Sequence, residues 1–118
     1  MERLFKLGRL LDYYGDFLTG RQRDLLDAYV NENLSLAEIA EREGISRQGV
    51  RDGLVRAERQ LTEMEARLGI AERNLRMDAQ LEEIRHMSEV FSLTEEQRER
   101  FNEALQKAFS ILEDDDGV

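Results

Sequence analysis

Apolar residues recur three and four apart along most of this chain, the spacing of amphipathic helices. Leu4, Leu7, Leu10, Leu11 and Tyr14 predict a helix over about 2–14, closed by Gly15 as a C-cap residue. Thr19 and Gln22 form a capping-box pair, in which hydroxyl and amide each satisfy a free backbone N–H. They open a second helix that runs to about Val30 and buries Leu25, Leu26 and Tyr29. Asn31-Glu32-Asn33 is a polar break. Ser35 and Glu38 repeat the capping box before a short helix with Leu36, Ile39 and Ala40 on its apolar face. Gly44 closes that helix and Ser46 caps the next.

From there the period becomes a heptad. Val50, Leu54, Ala57, Leu61, Met64, Leu68, Ala71 and Leu75 alternate steps of four and three. After Leu75 the seam slips, because Asp78 falls on the expected apolar position, and Leu81, Ile84, Met87 and Phe91 take over. A break is expected between about 69 and 79, where Leu68-Gly69-Ile70 resembles a helix end. Ser92-Leu93-Thr94 is a further break, and Thr94 with Gln97 caps a final helix over about 95–112 carrying Phe101, Leu105, Ala108, Phe109 and Leu112. Residues 113–118 read as an acidic, disordered tail. The expectation is an all-α protein with a single domain over 1–112 and a long helical seam over about 50–91.

The sharpest local pattern is SLAEIAEREGISRQGVRDGLVRAERQL, residues 35–61, which fits a helix-turn-helix. Ala40 lets two helices approach, and Gly44 permits the positive φ of a tight turn. Ile39, Ile45 and Val50 supply a shared core. In DNA-binding versions the start of the second helix enters the major groove. Here that places Ser46, Arg47, Gln48 and Arg51 first, with Arg56 and Arg59 on later turns. Arg bonds guanine bidentately, Gln bonds adenine, and a capped helix N-terminus suits phosphate. Gly49 and Gly53 lie in the same helix, and each weakens it by roughly 1 kcal/mol relative to Ala.

Composition narrows the chemistry. The 118 residues contain no Cys and a single His, His86, so disulfides, thiolate zinc sites and multi-His metal sites within one chain are out. No cofactor site, phosphate-binding Gly-rich loop or enzyme constellation is found. No apolar run is long enough to span a membrane, and the amphipathic N-terminus with Asp12 inside it does not read as a signal peptide. The expected compartment is the cytoplasm. The net charge of −9 is uneven: residues 1–34 and 35–70 each carry −1, and residues 71–118 carry −7. Within 44–61, four Arg face Asp52 and Glu58, a local charge of +2. The whole surface is unsuited to non-specific nucleic-acid binding, whereas this window is not.

Tyr14-Gly15, Leu18-Thr19 with Gln22, Leu34-Ser35-Leu36 through Glu38-Ile39-Ala40, and Ile45-Ser46-Arg47-Gln48 with Val50 follow one another in an order and spacing that resemble the bacterial YlxM family. The resemblance covers about residues 4–76. It implies an all-helical fold similar to region 4 of sigma factors. It also implies a part in the signal recognition particle pathway, since the family's genes tend to lie beside those of the particle's GTPase and its receptor. A DNA-binding regulatory role is the other implication. Of the nucleic-acid-binding positions, the resemblance carries over Ser46, Arg47 and Gln48. After Val50 the sequence departs from the family pattern, with Arg51 in place of an aromatic Tyr, Gly53 in place of Asn and Val55 in place of Lys.

Three readings follow. The first is a non-enzymatic helix-turn-helix accessory protein that binds the signal recognition particle's protein or RNA. The second is a transcriptional regulator reading duplex DNA in the major groove with residues 46–56. The third is a structural dimer with no nucleic-acid partner. A homodimer is expected on the heptad seam, through Leu54, Leu61, Met64 and Leu68.

Overall fold

A computed structural model describes residues 2–114, with side chains through Glu113. Six α-helices follow one another: α1 (Glu2–Tyr14), α2 (Gly20–Val30), α3 (Leu36–Glu43), α4 (Arg47–Leu68), α5 (Ile70–Ser88) and α6 (Glu95–Asp114). No strand occurs among the described residues. The all-α expectation holds, and α3, a three-residue turn and the start of α4 occupy the segment read as a helix-turn-helix. The chain divides into two compact units, Met1–Gly69 and Ile70–Val118, where the sequence suggested one domain.

Local chemistry explains the helix starts. Thr19 Oγ1 accepts from the Gln22 N–H while Gln22 Oε1 accepts from the Thr19 N–H, at 3.2 Å each. Ser35 and Glu38 make the same reciprocal pair at 3.1 and 2.9 Å, and Thr94 and Gln97 do so at 3.1 and 3.0 Å. Gly44 and Gly69 adopt left-handed conformations, φ 69° and 63°, and stop α3 and α4. Gly15 behaves differently from the expected C-cap. It opens a 3-10 turn, Gly15–Phe17, that continues from α1, and only at Leu18 does the backbone become extended.

In the first unit α4 packs on α1, α2 and α3. Leu25, Ala28, Ile39, Ala40 and Val50 form a buried cluster, and Tyr29, Leu34, Leu36, Ile45 and Leu54 close its edges. Full burial of each large aliphatic side chain here contributes roughly 1.5–3 kcal/mol. Tyr14 is 1% exposed, and its hydroxyl donates to Glu65 Oε1 at 2.7 Å, which gives the enclosed ring a polar outlet. Tyr29 is only half-buried.

The second unit is a pair of helices, α5 and α6, joined by a short connection. Its buried hydrophobic residues are Ala71 and Leu105. Phe101, Ala108, Phe109 and Leu112 are half-buried rather than enclosed. Arg85 stacks over the Phe109 ring, 4.9 Å from its centroid. Two features shift from expectation. The break falls at Gly69, at the early end of the 69–79 window. The last helix continues through Glu113 and Asp114, so the part of the expected acidic tail from 115 onward lies outside the described residues.

Candidate nucleic-acid interface

The turn between α3 and α4 is three residues long, and each has a distinct task. Gly44 supplies the positive φ, with its N–H bonded to the Ala40 carbonyl. Ile45 donates its N–H to the same carbonyl at 3.1 Å and packs against the core. Ser46 is extended, and its Oγ accepts from the Gly49 N–H at 2.9 Å. The hydroxyl lone pair is thereby used for capping, and its O–H is left to donate. Arg47 and Gln48, the first residues of α4, are exposed, and the N–H groups that a helix start leaves without a helical partner favour an anion there.

Arg47, Gln48, Arg51, Arg56 and Arg59 are all exposed on α4. At about 100° per residue, Arg47 and Arg51 lie on one flank, one turn apart, and Arg56 lies on the opposite flank. Gln48, Asp52, Val55 and Arg59 run between them. Arg56 and Arg59 sit roughly 14 and 18 Å along the axis from Arg47, so they cannot join it on one base step. The structure thus brings Ser46, Arg47, Gln48 and Arg51 together and sets the last two arginines apart.

The arginines of this face have no ion pair among the described residues, as is also true of Lys6, Arg21 and Arg67, whereas three other arginines of the unit are paired. Arg23 is paired with Asp16, and Arg42 makes two 3.0 Å bonds to Glu32. Arg3 bonds Glu58 at 2.7 Å. By contrast, Arg47, Arg51, Arg56 and Arg59 have no ion pair among the described residues. Glu58, which the sequence counts against the basic window, is engaged by Arg3. The Arg3 guanidinium is pushed further up by a hydrogen bond with Tyr29 and then by the Glu58 carboxylate.

Sequence reasoning missed three details. Gln48 Nε2 donates to Asp52 Oδ1 at 2.9 Å, so the amide that would read adenine is held by its own helix. Arg51 lines a shallow groove with Arg3, Tyr29, Leu36, Leu54 and Glu58, bordered by the half-exposed Val55. The i,i+4 spacing of Gln48 and Asp52 could have revealed the first. Nothing in the sequence places Arg3 beside Glu58. The third concerns Gly53: a Cβ there would lie 2.5 Å from Leu25 Cδ1. This glycine is the price of close packing between α4 and α2, and α4 remains unbroken through it.

The expected dimer seam is also redistributed. Leu61 is fully buried inside the first unit, and Leu54 packs against its core cluster. Met64 is half-buried, and Leu68 is 61% exposed at the end of α4. The heptad from Val50 to Leu61 therefore records the packing of α4 on its own unit. A partner helix finds Leu54 and Leu61 already covered. His86 is exposed on α5. No helix among the described residues is long and apolar enough to cross a membrane.

The family model described as "Putative helix-turn-helix protein, YlxM / p13 like", UPF0122, matches residues 1–92. Among known proteins, the chain is 45% identical over 75 residues to a UPF0122 protein of Acetivibrio thermocellus, covering 64% of each. It is 43% identical over 86 residues to one of Symbiobacterium thermophilum, covering 70% of this chain and 80% of the relative. A UPF0122 protein of Clostridium botulinum is 31% identical over 107 residues, 90% of this chain and 98% of that protein. The match spans a little under two thirds of the Acetivibrio relative's length.

Proposed function

The chain belongs to the UPF0122 helix-turn-helix family, and from that premise we propose that it is a non-enzymatic accessory or regulatory protein that binds nucleic acid through the first half of α4. The observation that carries this reading is the set of four exposed arginines without intramolecular partners, beginning at a capped helix N-terminus. These four guanidiniums, with Arg67 at the end of the same helix, make no ion pair among the described residues, which gives α4 positive charge that phosphates can neutralise.

The partner we propose is the RNA of the signal recognition particle, alone or with the particle's GTPase, in the cytoplasm. The resemblance to YlxM points to that pathway. Geometry favours backbone contact over base reading: Gln48 is tied to Asp52, and the arginines are spread along and around the helix. Duplex DNA is the second reading. It is favoured by the α3–turn–α4 geometry itself, which matches the way a recognition helix is presented to a major groove.

Fluorescence anisotropy against generic duplex DNA, particle RNA and the RNA–GTPase complex separates these readings. We expect tight binding to the RNA or its complex and weak binding to the duplex. Each of Arg47→Ala and Arg51→Ala should weaken binding and lower the slope of log affinity against log salt by about 1. Unchanged affinity and slope in the Arg47→Ala, Arg51→Ala double variant would sink the α4 assignment. Salt-sensitive duplex binding without RNA binding would replace the first reading with the second.

A further inference from the structure

Phe5, on the first helix, is 68% exposed and contributes nothing to the core. It sits in the run Arg3-Leu4-Phe5-Lys6-Leu7-Gly8-Arg9, where an aromatic ring alternates with cations. Phe5, Arg9 and Tyr13 are spaced four apart, so they form one stripe along α1. The Arg9 guanidinium lies 5.9 Å from the Tyr13 ring centroid. Lys6 is exposed at the side of the stripe, one turn before Arg9. Arg3 is held by Glu58, whereas neither Lys6 nor Arg9 makes an ion pair among the described residues.

A shallow groove of about 300 Å³ adjoins the stripe. Phe5, Gly8, Arg9 and Asp12 line it from α1, and Val30 and Asn31 line it from the end of α2. Gly8 keeps it open, since a Cβ there would come within 3.4 Å of Val30 Cγ1. Asn31 Nδ2 donates to Asp27 Oδ1 at 2.6 Å, which leaves the Asn31 amide oxygen as an acceptor. The groove thus offers an exposed ring, an apolar floor, a cation and polar groups at its edge.

We propose that this face of α1 is a second nucleic-acid contact, one that takes an unpaired nucleotide of a single strand. The base stacks on Phe5, and its phosphate lies at Lys6 and Arg9. Stacking on an aromatic side chain and cation contacts to the backbone are the two components of single-strand binding. A ligand that satisfies both Phe5 and its neighbours must have an aromatic face and a negative charge. An apolar partner would desolvate Lys6 and Arg9 without pairing them. A purely anionic one would leave the Phe5 ring in water. A duplex keeps its bases stacked on one another, so it presents no free base face to this ring.

The remaining charges of α1 fix where the phosphate goes. Glu2 and Asp12 stand toward opposite ends of the helix, and Lys6 and Arg9 occupy the turns between them. A phosphate is therefore repelled from both ends and held in the middle, beside Phe5. The inference goes beyond the α4 reading, since α4 supplies none of its residues and the feature recognised is a base rather than a track of phosphates.

Phe5→Trp in the full chain gives a direct readout, because the natural chain has no tryptophan. A mixed-sequence oligoribonucleotide of about 12 nucleotides should quench the indole fluorescence, and an abasic strand of the same length should not. Quenching by the RNA or by the matching single-stranded DNA supports the proposal, and a difference between them shows that the 2′-hydroxyl is read as well. Equal quenching by the abasic strand or by polyglutamate overturns it, since the site would then respond to charge alone. By fluorescence anisotropy, Phe5→Ala should weaken single-strand binding about tenfold, with duplex affinity unchanged and helicity by circular dichroism retained. Lys6→Ala should lower the single-strand salt slope by about 0.7. No single-strand binding by the natural chain, or unchanged affinity in Phe5→Ala, overturns the proposal. Adding Arg47→Ala and Arg51→Ala to Phe5→Trp should leave the quenching at saturation intact, so this site and the α4 reading fail separately. Loss of that quenching would overturn a site independent of α4.

Discussion

Gly53 shows how a single position can be misread without coordinates. On helix propensity alone, Gly53→Ala should stabilise α4 by up to about 1 kcal/mol. The added methyl, however, meets Leu25 Cδ1 at 2.5 Å, and Leu25 is 1% exposed in a closed core. Overpacking of that kind costs about 1–3 kcal/mol, so we expect a net loss of stability, read as a lower urea midpoint. A midpoint equal to or above the natural protein's would show that Leu25 has room to turn aside. The same contrast separates what was legible from what was not. Ser46, Gly44 and Ala40 could be assigned from the sequence because their roles are local: a cap, a left-handed turn and a small contact. Gly53, Arg3 and Glu58 act on residues 28 to 55 positions away, and no spacing rule reaches that far.

At the level of elements, the helix starts were the most legible feature, since Thr19–Gln22, Ser35–Glu38 and Thr94–Gln97 are self-contained within four residues. The box at α3 also titrates. The Ser35 backbone N–H, and secondarily its hydroxyl, hold the Glu38 carboxyl below its ordinary value. A depressed carboxyl stabilises the fold above its unfolded pKa, and the contribution is lost as pH falls through the folded value. Glu38→Gln keeps an acceptor at the same place, as Gln22 does in α2, and removes the titration. The stability gap between the natural protein and this variant should therefore narrow between about pH 7 and about pH 3, measured by urea unfolding at each. An equal gap at both ends would mean that the charge has no part in the cap. The heptad was harder to interpret. Period 3.5 states that α4 has a seam but not whose helix fills it, and the buried Leu61 gives the answer that α1 and α2 are involved.

Across the whole molecule, the two units differ in how much they bury. The first encloses Tyr14, Leu25, Leu26, Ile39, Val50 and Leu61, and the second encloses chiefly Ala71 and Leu105. Hydrogen exchange should reflect this, with amides of α5 and α6 exchanging faster than those in the middle of α4 in dilute solution. Equal protection would mean that the second unit's stability comes from something other than its own hydrophobic contacts. The contrast in charge is as sharp as the contrast in burial. All the cations of α4 are arginines; the helix has no lysine and no histidine. A guanidinium neither titrates in the physiological range nor accepts an acetyl group as a lysine amine does. The positive face of this protein is thus a constant, with no proton or acyl switch built into it. Its occupancy is left to ionic strength and to whichever polyanion is present in the greatest effective concentration.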